Sequence, residues 1–149
     1  MEKITPIIEE LLDSTEKILF EINILLKQLS PSTQELNDND LMQIISSSNI
    51  RLFVVKTKEE GPIIAMATLV VYKITFKTKG IVEDVVVDKN YRQQGIGKKL
   101  LEHIIKEARK QNVQILDLTS NPAREQANRL YLSLGFIKRE TNVYRLPIE

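Results

Sequence analysis

The stretch "VVVDKNYRQQGIGKKLLEHIIKEA", residues 85–108, sets Gly95 and Gly97 between an apolar run and a segment of strong helical periodicity, in a chain with only five glycines. The junction constrains the fold tightly, because a buried strand must end there and turn into a helix. The first backbone N–H groups of a helix have no internal partners. Glycines at 95 and 97 leave those amides uncovered and tolerate unusual backbone angles. An anionic group can then touch the N–H groups and the positive end of the helix dipole. Arg92, Lys98 and Lys99 add positive charge locally. A dinucleotide fingerprint would need glycine or alanine where Leu100 stands, and further βαβ units for which the chain is too short. A P-loop fails at Lys99, where Ser or Thr should follow Gly-Lys. On the short motif by itself, glycines acting only as turn punctuation remain an open alternative.

Composition narrows the partners. With 149 residues, 42% hydrophobic and 28% charged, the chain is long enough for one domain, 1–149, whose core needs no staples. There is no cysteine and a single histidine, His103, so no metal cofactor is expected. Lys and Arg number 21 against 20 Asp and Glu, for a net charge of +1. That balance gives no general pull toward nucleic acid or membrane, and neither is expected as a partner. Acidic residues scattered through "MEKITPIIEELLDSTEKILFEINILL" do not fit a secretory core or a span of roughly 20 apolar residues. The expectation is a soluble, cytoplasmic protein.

The coarse elements follow from periodicity. "EKITPIIEEL" reads equally as a short strand or as part of a helix, because Pro6 is tolerated near a helix start and on an edge strand. From Thr15, Ile18, Leu19, Ile22, Leu25, Leu26 and Leu29 mark a helical stripe, and a shorter helix is expected over about Asp38 to Ser47. "RLFVVKT" and "GPIIAMATLVVYKITF" read as a hairpin with a long second arm. "GIVEDVVVD" is a further strand, in which Val85, Val86 and Val87 suggest burial on both faces. From Ile96, the positions Leu100, Leu101, Ile104, Ile105 and Ala108 mark a helix, with His103 among its charged neighbours as a solvated residue. "VQILDLTS" predicts another strand, "NPAREQANRLYLSLG" a helix closed by Gly135, and "FIKRE" with "NVYRLPI" a final strand pair. The order predicts an α/β (mixed α+β) sheet flanked by helices.

These residues carry a family resemblance. "RQQGIG" resembles the Arg/Gln-x-x-Gly-x-Gly/Ala signature of the GNAT superfamily of acyl-CoA-dependent N-acyltransferases. "EDVVVD" is similar to the family's fourth strand, and "NPAREQANRLYLSLGF" to its second conserved block. Gln93 stands where many members have glycine, a departure expected to cost little. The resemblance implies a GNAT-like mixed, twisted central sheet in which two splayed parallel strands, at 81–88 and 113–119, form the cleft for coenzyme A. Acetyl-CoA is the implied cosubstrate. Its pantetheine would pair with the backbone of Val85, Val86 and Val87 like an added strand. Its pyrophosphate would rest on Gln93, Gln94, Gly95, Ile96, Gly97 and Lys98, with Arg92 also among the cofactor-binding residues. Asn121 and Asn128 would reach the pantetheine arm, against the simpler readings of a turn asparagine and a solvated helix residue.

The implied reaction is transfer of an acetyl group from a thioester to a primary amine of a small molecule or peptide. It needs an unprotonated amine, donors for the carbonyl oxygen and a proton for the departing thiolate. Glu83 is the candidate base, on the opposite strand face from Asp84 by alternation, and either carboxylate reads equally as a structural strand-end group. Tyr131 is the candidate acid through its phenol, against the reading of a core tyrosine beside Leu130 and Leu134. A GNAT-like module that holds acyl-CoA without catalysis is the competing class. A homodimer is left open, and the acceptor is not legible.

Overall fold

The computed structural model describes residues 4–149. Glu2 and Lys3, at the start of the ambiguous first segment, lie outside the described residues. The chain forms two compact units, one running to Thr119 and the other spanning Ser120–Glu149.

In the first unit the ambiguity resolves to a strand, β1 (Ile7–Glu10), followed by α1 (Glu16–Leu29) and α2 (Asp38–Ile45). Thr15 starts α1 by accepting the Ile18 N–H at 3.2 Å. Asn37 and Asp40 start α2 with a reciprocal capping box, which supplies partners for amides that the helix cannot pair itself. Then come β2 (Ile50–Lys56), β3 (Ile63–Ile74), β4 (Lys77–Val87), a 3-10 turn at Lys89–Tyr91, α3 (Ile96–Lys110) and β5 (Ile115–Asp117). The sheet has the order β1-β2-β3-β4-β5. Its first three pairings are antiparallel and the last is parallel, so the expected mixed sheet is present.

Strand alternation divides the core. Leu52, Val54, Met66 and Val86 gather with Ile22, Leu25 and Leu41 in one buried cluster against α1 and α2. Phe53 turns to the other face, where its ring meets His103 of α3 edge-on at 5.2 Å, and α3 buries Leu100, Leu101 and Ile104. His103 is therefore half-buried, not a solvated helix residue, and burial lowers its pKa. Its charged neighbours Glu102 and Lys106 are exposed, while its own ring packs against Phe53. On the same face Arg51 bridges Glu10 of β1 at 2.8 Å and Glu107 of α3 at 3.0 Å.

The strand pairing of β4 is the feature that positions a site. β5 pairs with Lys79, Gly80 and Ile81 and stops at Asp117, while β4 continues to Val87. Past Ile81 β5 supplies no partner, and the two parallel strands part company as expected. The expected strand 113–120 is present only over Ile115–Asp117: at its start Val113 N–H closes onto Ala108 O of α3, and Gln114 N–H to Thr78 O begins the approach to β4. The loss of that neighbour also corrects the expected two-sided burial of the valines: Val86 is buried in the cluster with Met66, but Val85 and Val87 are only half-buried.

The second unit holds α4 (Glu125–Ser133). It ends at Gly135, with φ of 98°, through bonds from Gly135 N–H to Leu132 O and from Phe136 N–H to Tyr131 O, both 3.1 Å. This is the Schellman closure that a glycine after the last turn predicts. The expected strand pair at 136–140 and 142–148 is absent: among the described residues no strand follows α4, and Ile137, Val143, Tyr144, Leu146 and Ile148 are exposed. Charged residues interrupt the apolar alternation, Pro147 offers no N–H, and a two-stranded hairpin alone is marginal in water.

Candidate functional site

The glycine junction has the geometry its sequence implies. At the end of β4, Asp88 N–H donates to Ile64 O at 2.8 Å, and its Oδ1 accepts from Asn90 N–H at 2.8 Å, which starts the 3-10 turn. Gly95 has φ of 76° and is the N-cap residue of α3, without any side-chain cap. The first internal bond of the helix runs from Lys99 N–H to Gly95 O at 3.1 Å. The amides of Ile96, Gly97 and Lys98 therefore face outward at the positive end of a 15-residue helix,. Lys98 and Lys99 are exposed beside them, while Arg92 turns back and donates through Nε to Val87 O at 3.1 Å.

Gln93 is where the structure corrects the sequence reading. Its φ is 64°, in the left-handed region, so the position does prefer glycine and the departure does carry backbone strain. Gln93 and Gln94 are both exposed.

The candidate carboxylates sit at an irregularity. Thr68 pairs with Glu83 and Met66 with Val86, so Ala67 opposes the two residues Asp84 and Val85. Asp84 has φ of 53°. This bulge replaces simple alternation: Glu83 is exposed opposite Thr68, and Asp84 occupies the extra position. The Asp84 side chain reaches solvent, yet crowding of its carboxyl by surrounding chain raises its pKa,.

In the second unit Tyr131 is 6% exposed, with its ring edge-on to Phe136 at 6.1 Å. Burial raises its pKa, opposed more weakly by Arg124. Asn121 Oδ1 accepts from Ala123 N–H at 2.8 Å, and Asn128 Nδ2 donates to Asn121 O at 3.0 Å. Both asparagines thus hold the turn that leads into α4.

Two features escaped the sequence reading. Ser120 Oγ is buried and has no hydrogen-bond partner among the described residues, an unusual state for a hydroxyl; a lone serine beside Asn121 gives no pattern to find it by. An open groove of about 430 Å³ is lined by Phe20, Ile24, Ile63, Ile64 and Tyr91, with Lys17, Glu21 and Asp88. Phe20, 67% exposed, lies off the apolar stripe of α1, which was its only available signal. Among the described residues no group of three or more His, Cys, Asp or Glu side chains is arranged to hold a metal ion, and no helix is long and apolar enough to cross a membrane.

Known proteins resemble this chain in sequence and in fold. Over 53 residues the chain is 43% identical to a ribosomal-protein alanine N-acetyltransferase of Escherichia coli. That alignment spans 36% of each protein, so the chain matches about a third of the length of this curated relative. An acetyltransferase of Trypanosoma brucei is 27% identical, with a TM-score of 0.78 over 97% of this chain and 100% of that one. An aminoglycoside acetyltransferase from an uncultured soil metagenomic sample, crystallised with sisomicin, shares the fold at a TM-score of 0.83, with 19% identity over 97% and 96% of the two chains. The model of the Acetyltransferase (GNAT) family matches residues 12–136, and with the uncapped glycine turn and parted parallel strands the chain belongs to that family.

Proposed function

We propose that this chain is an N-acetyltransferase that moves an acetyl group from acetyl-CoA to a primary amine of a small molecule or peptide by direct transfer, and that residues 1–149 act as one domain. The observation that carries the reading is the turn after β4. Left-handed Gly95 exposes three amides at the start of α3 with Lys98 and Lys99 beside them, a local fit for an anionic pyrophosphate in a chain of net charge +1,. The edge of β4 past Ile81, free of β5, suits an extended pantetheine at Val85, Val86 and Val87. The orphan hydroxyl of Ser120, next to Asn121, is a further polar atom wanting a partner. The family match runs across both compact units, which supports reading them as one functional domain. The names of two relatives, one acting on a protein alanine and one on an aminoglycoside, support an amine acceptor.

Acetyl-CoA supplies the activated acyl group as a thioester. Glu83 would receive the amine proton, directly or through water, since an amine with pKa near ~10 is almost wholly protonated at neutral pH. Tyr131, whose phenol pKa burial raises, would give its phenol proton to the departing thiolate. Release of free CoA from acetyl-CoA against a panel of amines tests the reading. Turnover with at least one amine is expected, and Tyr131→Phe should lower it about 10²–10⁴-fold with acetyl-CoA affinity retained. Glu83→Gln should remove the ascending limb of the pH–rate profile; an unchanged limb would hand the proton to Asp84 or water. Acetyl-CoA binding without turnover on any amine would mark a non-catalytic acyl-CoA module instead.

A further inference from the structure

The turn that exposes the α3 amides is held from outside by one side chain of α1. Gln28 Nε2 donates to Asp88 Oδ2 at 3.1 Å, and Gln28 Oε1 accepts from Lys89 N–H at 2.9 Å. The two ends of a single amide therefore fix a side chain and a backbone group at the first step out of β4. Asp88 passes the constraint on: its Oδ1 takes Asn90 N–H and its carbonyl takes Tyr91 N–H at 2.9 Å. Four residues later the chain reaches Gly95. Two turns back along α1, Glu21 Oε2 accepts from Ile63 N–H at 3.1 Å, so the helix is pinned to the start of β3 as well. Both polar anchors share a face with Leu25,, which fixes the rotation of α1 and leaves Gln28 aimed at the turn.

We infer that Gln28 is a positioning residue for acetyl-CoA: it touches no part of the proposed cofactor site itself, and sets the path of the chain from Asp88 to the exposed amides of Ile96, Gly97 and Lys98. The inference rests on the reading of that turn as the pyrophosphate site. Its chemistry is specific to an amide. Methionine has the same reach with neither bond. Glutamate loses the donor and sets a carboxylate against Asp88. An asparagine in place of Asp88 has one acceptor oxygen where Gln28 Nε2 and Asn90 N–H need two, so however the two amides turn, one of the three bonds at this corner is lost. Exchanging both, Gln28→Glu with Asp88→Asn, restores the pair with donor and acceptor reversed. The introduced amide donates to the introduced carboxylate and still accepts from Asn90 N–H, and Lys89 N–H still finds an oxygen.

Calorimetry with acetyl-CoA on the full chain tests this, together with thermal melts on the same preparations. Gln28→Met should weaken binding about three- to tenfold, the scale of one or two neutral hydrogen bonds that no longer order the turn. Gln28→Glu and Asp88→Asn should each weaken it, and the double exchange should return affinity to within about twofold of wild type, a coupling that residues acting separately would not show. A general loss of stability would move the melts and would not be undone in binding by the exchange. If wild type binds no acetyl-CoA, the functional reading falls and this inference with it. If wild type binds and Gly97→Val does not, while the Gln28 variants bind like wild type, only the role of Gln28 is overturned. Should Gln28→Met fail to fold, Asp88→Asn against the double exchange decides alone, and affinity that stays lost in the double exchange overturns the inference.

Discussion

Gly80, early in β4, and Gly95, at the N-cap of α3, are glycines for opposite reasons. Gly80 is buried where β4 still pairs with β5, and a Cβ there would meet Leu116 Cδ1 at 3.0 Å, Val113 Cγ1 at 3.3 Å and Leu69 Cδ1 at 3.4 Å. Gly95 has no heavy atom within 4 Å of such a Cβ, but its φ of 76° is left-handed. One position lacks room and the other lacks a permissible backbone for anything else. Where the sheet is complete, glycine serves packing. Where β5 has ended, it leaves the amides of the α3 start uncovered, the place proposed above for the pyrophosphate.

That contrast is broken most severely from the ligand end. Gly95→Val should cost about ten- to hundredfold in acetyl-CoA affinity, because hydrogen bonds from amides to a charged group are the stronger kind and a branched side chain now stands beside them. Calorimetry checks it, with circular dichroism confirming the fold, which the buried stripe of α3 maintains. Gly80→Val should also lose stability, about 1–3 kcal/mol by overpacking, but its folded fraction should bind acetyl-CoA as wild type does. Urea melts and calorimetry together read both. Equal loss of affinity in the two variants would mean that the glycines do not divide the labour between packing and binding.

The sequence separated these roles only in part. Gly95 and Gly97 stood out because they interrupt two clear periodicities, the valine run and the stripe Leu100, Leu101, Ile104, and a local signal of this kind survives folding. Gly80 gave no such signal, since its constraint comes from Leu116 and Val113, more than thirty residues away in sequence. Helices α1 to α4 and strands β2 to β4 were legible for the same local reason. The end of β5 at Asp117, the bulge that gives Asp84 its φ of 53° and the contact of His103 with Phe53 are set by pairing across the sheet and were not. The apolar residues at 137–148 had a strand-like pattern without the burial that makes a strand. For the candidate site, the glycine junction and its basic neighbours Lys98 and Lys99 stood out locally, while the bonds of Gln28 to Asp88 and Lys89 join residues 60 and 61 positions apart and gave no local signal.

α3 carries the turn on its N-terminus, and its middle offers a finer test of how far packing and binding are separate. Burial lowers the pKa of His103 in the folded chain, so between that value and the unfolded value near ~6.5 the unfolded state binds a proton that the folded state refuses. This contribution to stability is fully present above the unfolded pKa and is lost as pH falls from there through the lowered folded value,. Urea melts at pH 7.5 and pH 5.5 should show a smaller loss in His103→Gln than in wild type. Acetyl-CoA affinity at pH 7.5 should not distinguish the two, because His103 lies on the packed side of the helix, two turns from Gly95. A shared change in affinity would show that core packing reaches the amides.

Gln93 supplies the smallest and sharpest case, a left-handed residue that is not glycine. At φ of 64° a side chain costs about 1–2 kcal/mol, and glycine would remove that cost while giving back about 0.5–1 kcal/mol through the greater freedom of the unfolded chain. Gln93→Gly should therefore be neutral to about 1 kcal/mol stabilising, a sign opposite to Gly95→Val at a neighbouring position of similar φ. If Gln93 contributes only its backbone to the turn, acetyl-CoA affinity stays at the wild-type value. If its exposed amide side chain itself contacts the bound anion, affinity falls although stability rises. Melts and calorimetry on this one variant read the two effects apart, and a clear loss of stability would mean that the Gln93 side chain makes contacts worth more than the strain of its backbone.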